Sequence, residues 1–158
     1  MADQTNHPAR TALEVAQDYI RCIETGDRDG IARSLAEDVK QIFPISSEAT
    51  GEPQGIFVGK ADVVDYTYGL FRKFSGLRWP NPDWTLSEDG RRAFLEGRGE
   101  ATVTHSGAPY SNVYVTRFDV EDGLIVRIAE YANATLYVSM GIEPTETEMR
   151  AVERVRRA

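Results

Sequence analysis

The chain has 158 residues, 41% hydrophobic and 27% charged, which gives room for one domain with its own core. Its net charge of -7 disfavours nucleic acid and anionic membranes as partners, since both reward clustered Lys and Arg. The single cysteine, Cys22, rules out an internal disulfide and argues against a cysteine-based zinc site, and no run is apolar for long enough to span a bilayer.

The first eight residues are polar and read as loose, without the basic start and apolar run of a signal peptide, so a cytoplasmic protein is the expectation. From Ala9 to Thr25, Leu13, Ala16, Ile20 and Ile23 recur at helical spacing, and Gly26 suits the cap. Asp27 then caps a short second helix, Arg28 to Ala36, with Ile31 and Leu35 inward. Val39 to Ile45 is strand-like, with Phe43 and Pro44 near its end. Residues 46–55 form a Ser-, Gly- and Pro-rich loop, a lid or a plain surface connection. Ala61 to Phe74 reads as a third helix, with Val63, Leu70 and Phe74 on its apolar stripe and Tyr66 bordering it.

From Leu77 the pattern turns to β. Leu77 to Leu86 is a broken strand carrying Trp79 and Trp84. Ala93 to Thr104, Tyr110 to Val120 and Leu124 to Val138 follow with hairpin-length linkers, which predicts an antiparallel meander. Gly97 and Gly99 inside a strand predict sharp curvature. The tail from Pro144 to Ala158 is a charged helix docked by Met149, Val152 and Val155. The predicted fold class is therefore α+β: three N-terminal helices covering the concave face of a cone-shaped sheet, in a single domain over residues 1–158.

The chemistry-bearing candidates sit on the meander. Alternate strand residues share a face, which places Glu130 with Leu124, Val126 and Ile128. A carboxylate there is either a cavity acid or a charge reaching solvent at the sheet rim. Tyr110, Asn112, Tyr114, Thr116, Phe118 and Val120 share one face of the preceding strand, so Tyr110 and Asn112 would project towards the same cavity. Glu96, beside Gly97, is a further pocket candidate, although its face alternates charges as a solvated ladder would. Trp79 and Trp84 are pocket walls or core, and the pattern does not separate the two. There is no CxxC, no HExxH and no Gly-rich phosphate loop. His7 and His105, in the loose start and a turn, speak against a Ser-His-Asp triad and a histidine metal site. No metal and no cofactor is therefore expected.

Several stretches together resemble a known family. They are Thr25-Gly-Asp-Arg-Asp-Gly30 with Leu35 to Val39, Phe43-Pro44, Val58-Gly-Lys60, Gly97-Arg-Gly99, Tyr110 to Tyr114, and Asp122 to Ile125 running on to Glu130-Tyr131. In order and spacing they resemble the SnoaL-like branch of the nuclear-transport-factor-2-like superfamily. The end of the chain, Glu130 with Asn133 and Leu136 to Pro144, is similar to the phenazine-biosynthesis A/B-type proteins. That resemblance implies a homodimer binding small cyclic molecules, with Glu130 as acid–base residue and Tyr110 in the pocket. Where those relatives carry a helix histidine, this chain has Tyr66. The expectation is a cofactor-independent isomerase, cyclase, dehydratase or epoxide hydrolase of secondary metabolism. Glu130, Tyr110 and Tyr66 would be its catalytic residues, and Asn112, Tyr114, Trp79, Trp84, Glu96 and Phe43 would bind the substrate. The alternative is a non-catalytic module that binds a ligand or pairs subunits, through an exposed sheet face that includes Val113, Val115 and Tyr131.

Overall fold

The structure, a computed structural model, describes residues 9–158, so the expectations for residues 1–8, His7 included, lie outside the described residues. The first helix, α1 (Ala12–Thr25), begins later than its apolar periodicity suggests because Thr11 caps it. Thr11 accepts from the Glu14 amide while Glu14 reaches back to the Thr11 amide, a reciprocal capping box. Val15, Ala16, Tyr19, Ile20 and Ile23 form its buried stripe, and Gly26, at φ 73°, closes it. Asp27 caps α2 (Arg28–Ser34) by accepting from the Gly30 amide. The chain leaves the helix at Leu35, four residues before the strand expected at Val39, and β1 runs from Leu35 to Phe43.

After β2 (Gly55–Val58) comes α3 (Lys60–Lys73), which passes directly into β3 (Phe74–Arg78). The tryptophan segment gives a second short strand, β4 (Asp83–Leu86). The long strands β5 (Arg92–Val103), β6 (Pro109–Glu121) and β7 (Leu124–Ala132) form the meander. The sheet order is β2-β1-β7-β6-β5-β3, with β4 also on β5. One feature departs from the antiparallel expectation: β1 runs parallel to β7. No hairpin links these two strands, so no turn dictates their relative direction.

Close packing marks β5. A Cβ on Gly99 would stand 2.6 Å from Tyr114 Cε2 and 3.1 Å from Trp79 Nε1, so only glycine lets both rings cross the strand. Helices α1 and α3 fill the concave face with Tyr19, Ile20 and Val63 against Phe118 and Ile128.

Two expectations are corrected at the C-terminal end. The last strand stops at Ala132, and residues to Ser139 form a helix, α4 (Ala134–Ser139), instead of more strand. Asn133 accounts for this, since its side chain accepts from the Leu136 amide as an N-cap. The tail helix, α5 (Glu146–Arg156), packs on β2 with Ala151 buried against Gly55, and adds polar contacts to α3. Asp62 of α3 pairs with Arg150 and Arg154, and Thr147 donates to Asp65 at 2.6 Å. Met149, expected to help dock it, is exposed.

Candidate functional site

The sheet and the helices packed on it line a cavity of about 610 Å³, open at one side and within the range of small-molecule sites. How Glu130 comes to face it depends on one irregularity. In β7 the register passes from Asp119 opposite Arg127 to Val120 opposite Ile125, leaving Val126 as an extra residue. Such a bulge reverses which alternate residues point inward. Before it Ile125 is buried and Leu124 is exposed; after it Ile128 and Glu130 face the cavity. Leu124 therefore does not share the face of Glu130, as strict alternation would have it.

No described residue donates a hydrogen bond to the Glu130 carboxylate. Burial against an apolar wall raises its pKa from 4.5 to about 7, so near neutrality it can both take and give a proton. Five tyrosines surround the same space: Tyr19, Tyr66, Tyr110, Tyr114 and Tyr137. Burial, reinforced by the Glu130 charge, raises all five, so they remain neutral hydroxyls.

Two of these form a directed pair. Tyr110 and Tyr114 share a 2.7 Å hydrogen bond, and Asn112 Nδ2 donates to Tyr110 Oη at 2.9 Å. Only one of the two hydroxyl protons is used between the tyrosines, so the other remains free to donate. The Asn112 donation polarises the chain in that direction.

Asn112 itself was expected to orient substrate, but its amide is fully engaged. Besides Tyr110, its Nδ2 donates to Asn133 O, and its Oδ1 accepts from the Val113 and Asn133 amides. It ties β6 to the start of α4 and fixes Tyr110.

The remaining expected residues divide. Phe43, Tyr66 and Trp79 line the cavity. Tyr66 packs edge-on against Phe43 at 5.3 Å, and the Lys73 ammonium lies 5.2 Å from its ring centroid. Trp79 stands edge-on to Tyr114 at 5.8 Å, and its backbone amide donates to Glu24 at 2.8 Å. Two expectations are overturned. Glu96 points to solvent on the outer face of β5, opposite Asp83 and Val115, because the buried phase of that strand falls on Leu95. Trp84 packs 6.3 Å from Phe118 and does not line the cavity.

The pattern also passed over contributors. Thr67 lies one helical turn beyond Val63 and donates to its carbonyl at 2.8 Å, so Tyr19 must donate to Thr67 Oγ1 across their 3.1 Å contact. Gln41 sits between Val39 and Phe43 on the inward phase of β1, and Thr116 lies on the face already named for Tyr110. Lys73 is the least legible: it is 8% exposed, ion-paired with Glu148, and donates to Tyr137 Oη at 3.0 Å. Burial, with Arg72 alongside, lowers its pKa to about 8, and the Asp65 carboxylate works the other way. Glu148 also accepts from the Thr145 amide, so one carboxylate caps α5 and fastens it over the cavity rim.

Among the described residues no group of three or more His, Cys, Asp or Glu side chains is placed to hold a metal ion, and no helix is long and apolar enough to cross a membrane.

Residues 16–128 match the SnoaL-like domain family, which ends two residues before Glu130. The uncharacterized protein YesE of Bacillus subtilis (strain 168) is 27% identical over 96 residues, which are 61% of this chain and 65% of YesE, so the match spans about two thirds of that relative. A candidate isomerase from Bacillus subtilis superposes with a TM-score of 0.70 at 23% identity, over 82% of this chain and 92% of its own. A candidate polyketide cyclase from Pseudomonas putida gives 0.68 at 24%, over 82% and 96%. A phenazine biosynthesis-related protein from Pseudomonas aeruginosa gives 0.65 at 20%, over 85% and 92%. At these identities the three share the fold.

Proposed function

We propose a function for a chain that belongs to the SnoaL-like domain family: its cavity is the active site of an acid–base enzyme acting, without a cofactor, on a small, largely apolar cyclic molecule. The observation that carries this reading is Glu130, an unpartnered carboxyl on an apolar cavity wall with its pKa near 7. It would move the proton. The Tyr110–Tyr114 pair, held by Asn112, would donate its free hydroxyl proton to the oxygen on which charge develops. Tyr66, unbonded to any described residue through its hydroxyl, would be a second donor from α3. Isomerisation, cyclisation, dehydration and epoxide opening all fit that arrangement, and the names of the structural neighbours, isomerase and polyketide cyclase, agree with it. A cytoplasmic place in secondary metabolism accords with these assignments.

The probe for such a base is 5-nitrobenzisoxazole. Its ring C–H proton passes to a carboxylate as the N–O bond breaks, which releases a coloured cyanophenolate. Catalysed ring opening should rise with pH through a midpoint near 7, the value for Glu130, and Glu130→Gln should slow it about 100-fold or more. An undiminished rate in the Gln variant removes Glu130 from the chemistry.

A second reading, a ligand-binding or subunit-pairing module, draws on the outer face of the sheet. There Val113, Val115 and Tyr131 are 53%, 40% and 41% exposed, with Val115 directly opposite Tyr131. This apolar row suits a homodimer, alongside catalysis or without it. Light scattering that returns a monomer at micromolar concentration would dismiss the pairing.

A further inference from the structure

The floor of the cavity holds polar side chains that the proton-transfer scheme leaves unused. Thr116 on β6 lies directly opposite Glu130 on β7, and directly opposed strand residues have Cβ atoms about 5 Å apart. On the other flank, Gln41 of β1 pairs with Ile128, one inward position before Glu130. Thr116 is 6% exposed and Gln41 5%, and both line the cavity. No hydrogen bond joins the Thr116 hydroxyl or either polar atom of the Gln41 amide to any described residue, and Gln41 Oε1 is buried without a partner. Unpartnered polar groups are rare in protein interiors, and here two of them flank an unpartnered carboxyl.

We propose that Glu130, Thr116 and Gln41 form a subsite for one hydroxyl oxygen, that of a water molecule or of an alcohol group on the ligand. The chemistry selects this occupant. Gln41 Oε1 and the ionised Glu130 carboxylate call for a donor, while the Thr116 hydroxyl and the Gln41 Nε2 protons call for an acceptor; a hydroxyl is both, whereas a carbonyl only accepts. Nothing apolar fits, because a methyl group would leave all three side chains unsatisfied. The inference rests on the reading of the cavity as a small-molecule site and assigns Thr116 and Gln41 as positioning residues within it. The other titratable groups lining the cavity are the five tyrosines and, from α5, Glu148 (ion-paired with Lys73), Glu153 and Arg156.

Thr116→Val keeps the shape of the side chain and removes its hydroxyl, while Thr116→Ser restores the hydroxyl. Two measurements separate the sources of the oxygen. The first is the titration of the Glu130 carboxyl, followed by carbon NMR in the ligand-free protein. A water held between Thr116 and Glu130 stabilises the ionised form, so Thr116→Val should raise the midpoint by about half a pH unit or more and Thr116→Ser should not. The second is equilibrium dialysis with 2-tetralol and with tetralin, which differ by one hydroxyl. If the oxygen is the ligand's, wild type prefers 2-tetralol, and Thr116→Val and Gln41→Leu each cost about tenfold in its affinity while tetralin binding is unchanged. Either result supports the subsite. A Glu130 midpoint indifferent to Thr116, together with no preference for 2-tetralol, overturns it, and does so even if Glu130 still opens 5-nitrobenzisoxazole.

Discussion

Replacing Glu130 with Gln should make this protein more stable, and only above about pH 5. The carboxyl has an ordinary value of 4.5 in the unfolded chain and about 7 in the folded one. At about 1.4 kcal/mol for each pH unit between the two values, keeping the ionised form in the cavity costs about 3 kcal/mol. The sign follows from which state binds the proton. Below pH 4.5 both states hold it and the residue is neutral in its effect. Between 4.5 and 7 the unfolded chain ionises while the folded one does not, so stability falls as pH rises. Above 7 both are ionised and the loss is complete. Glutamine has the same shape and never ionises, so Glu130→Gln should match wild type near pH 4 and exceed it by about 3 kcal/mol at pH 8. Urea denaturation reads this directly. With a slope of about 2 kcal/mol per molar urea, the two midpoints should coincide at pH 4 and separate by about 1.5 M at pH 8. Every other titrating group is common to the two proteins and cancels in the difference. A gap that does not change with pH would show that Glu130 ionises as it does in water, and the account of the cavity base would go with it. The penalty has a functional meaning as well: the same desolvation that destabilises the fold brings the carboxyl to neutral pH.

Two further outcomes test the frame around the site. Lys73→Met leaves Glu148 buried without its cation and should cost about 3–5 kcal/mol by denaturant unfolding, whereas Lys73→Met with Glu148→Leu should recover most of that loss; equal losses in the single and double variants would show that the ion pair does not anchor α5. Gly99→Ala puts a Cβ 2.6 Å from Tyr114 and should destabilise by about 1–3 kcal/mol, with Gly97→Ala milder because its nearest contact is 3.4 Å, so a reversed order would refute the tight crossing of Tyr114 and Trp79 over β5.

Periodicity alone determined much of this architecture. The apolar stripe of α1, the Gly26-Asp27 corner and the alternation of Tyr110 to Val120 are local properties, since each follows from the residues of one segment. Glu130 was legible as a cavity candidate, but for a reason only half right, because strict alternation from Leu124 ignores the extra residue at Val126. A bulge is decided by pairing with β6 and has no mark in the β7 sequence. The same limit applied to Glu96, whose face depends on which phase of β5 the core claims, and to Asn133, which reads as strand until Asn112 grips its backbone. Lys73, Glu148, Gln41 and Thr116 were the least readable. A buried charge is tolerable only beside a partner 75 positions away, and an unpartnered hydroxyl has meaning only once three strands bring it against a carboxyl. The sequence by itself determined which faces exist. Only the tertiary structure decided which polar groups meet on the concave one, because desolvation and hydrogen bonding depend on neighbours that are far apart along the chain.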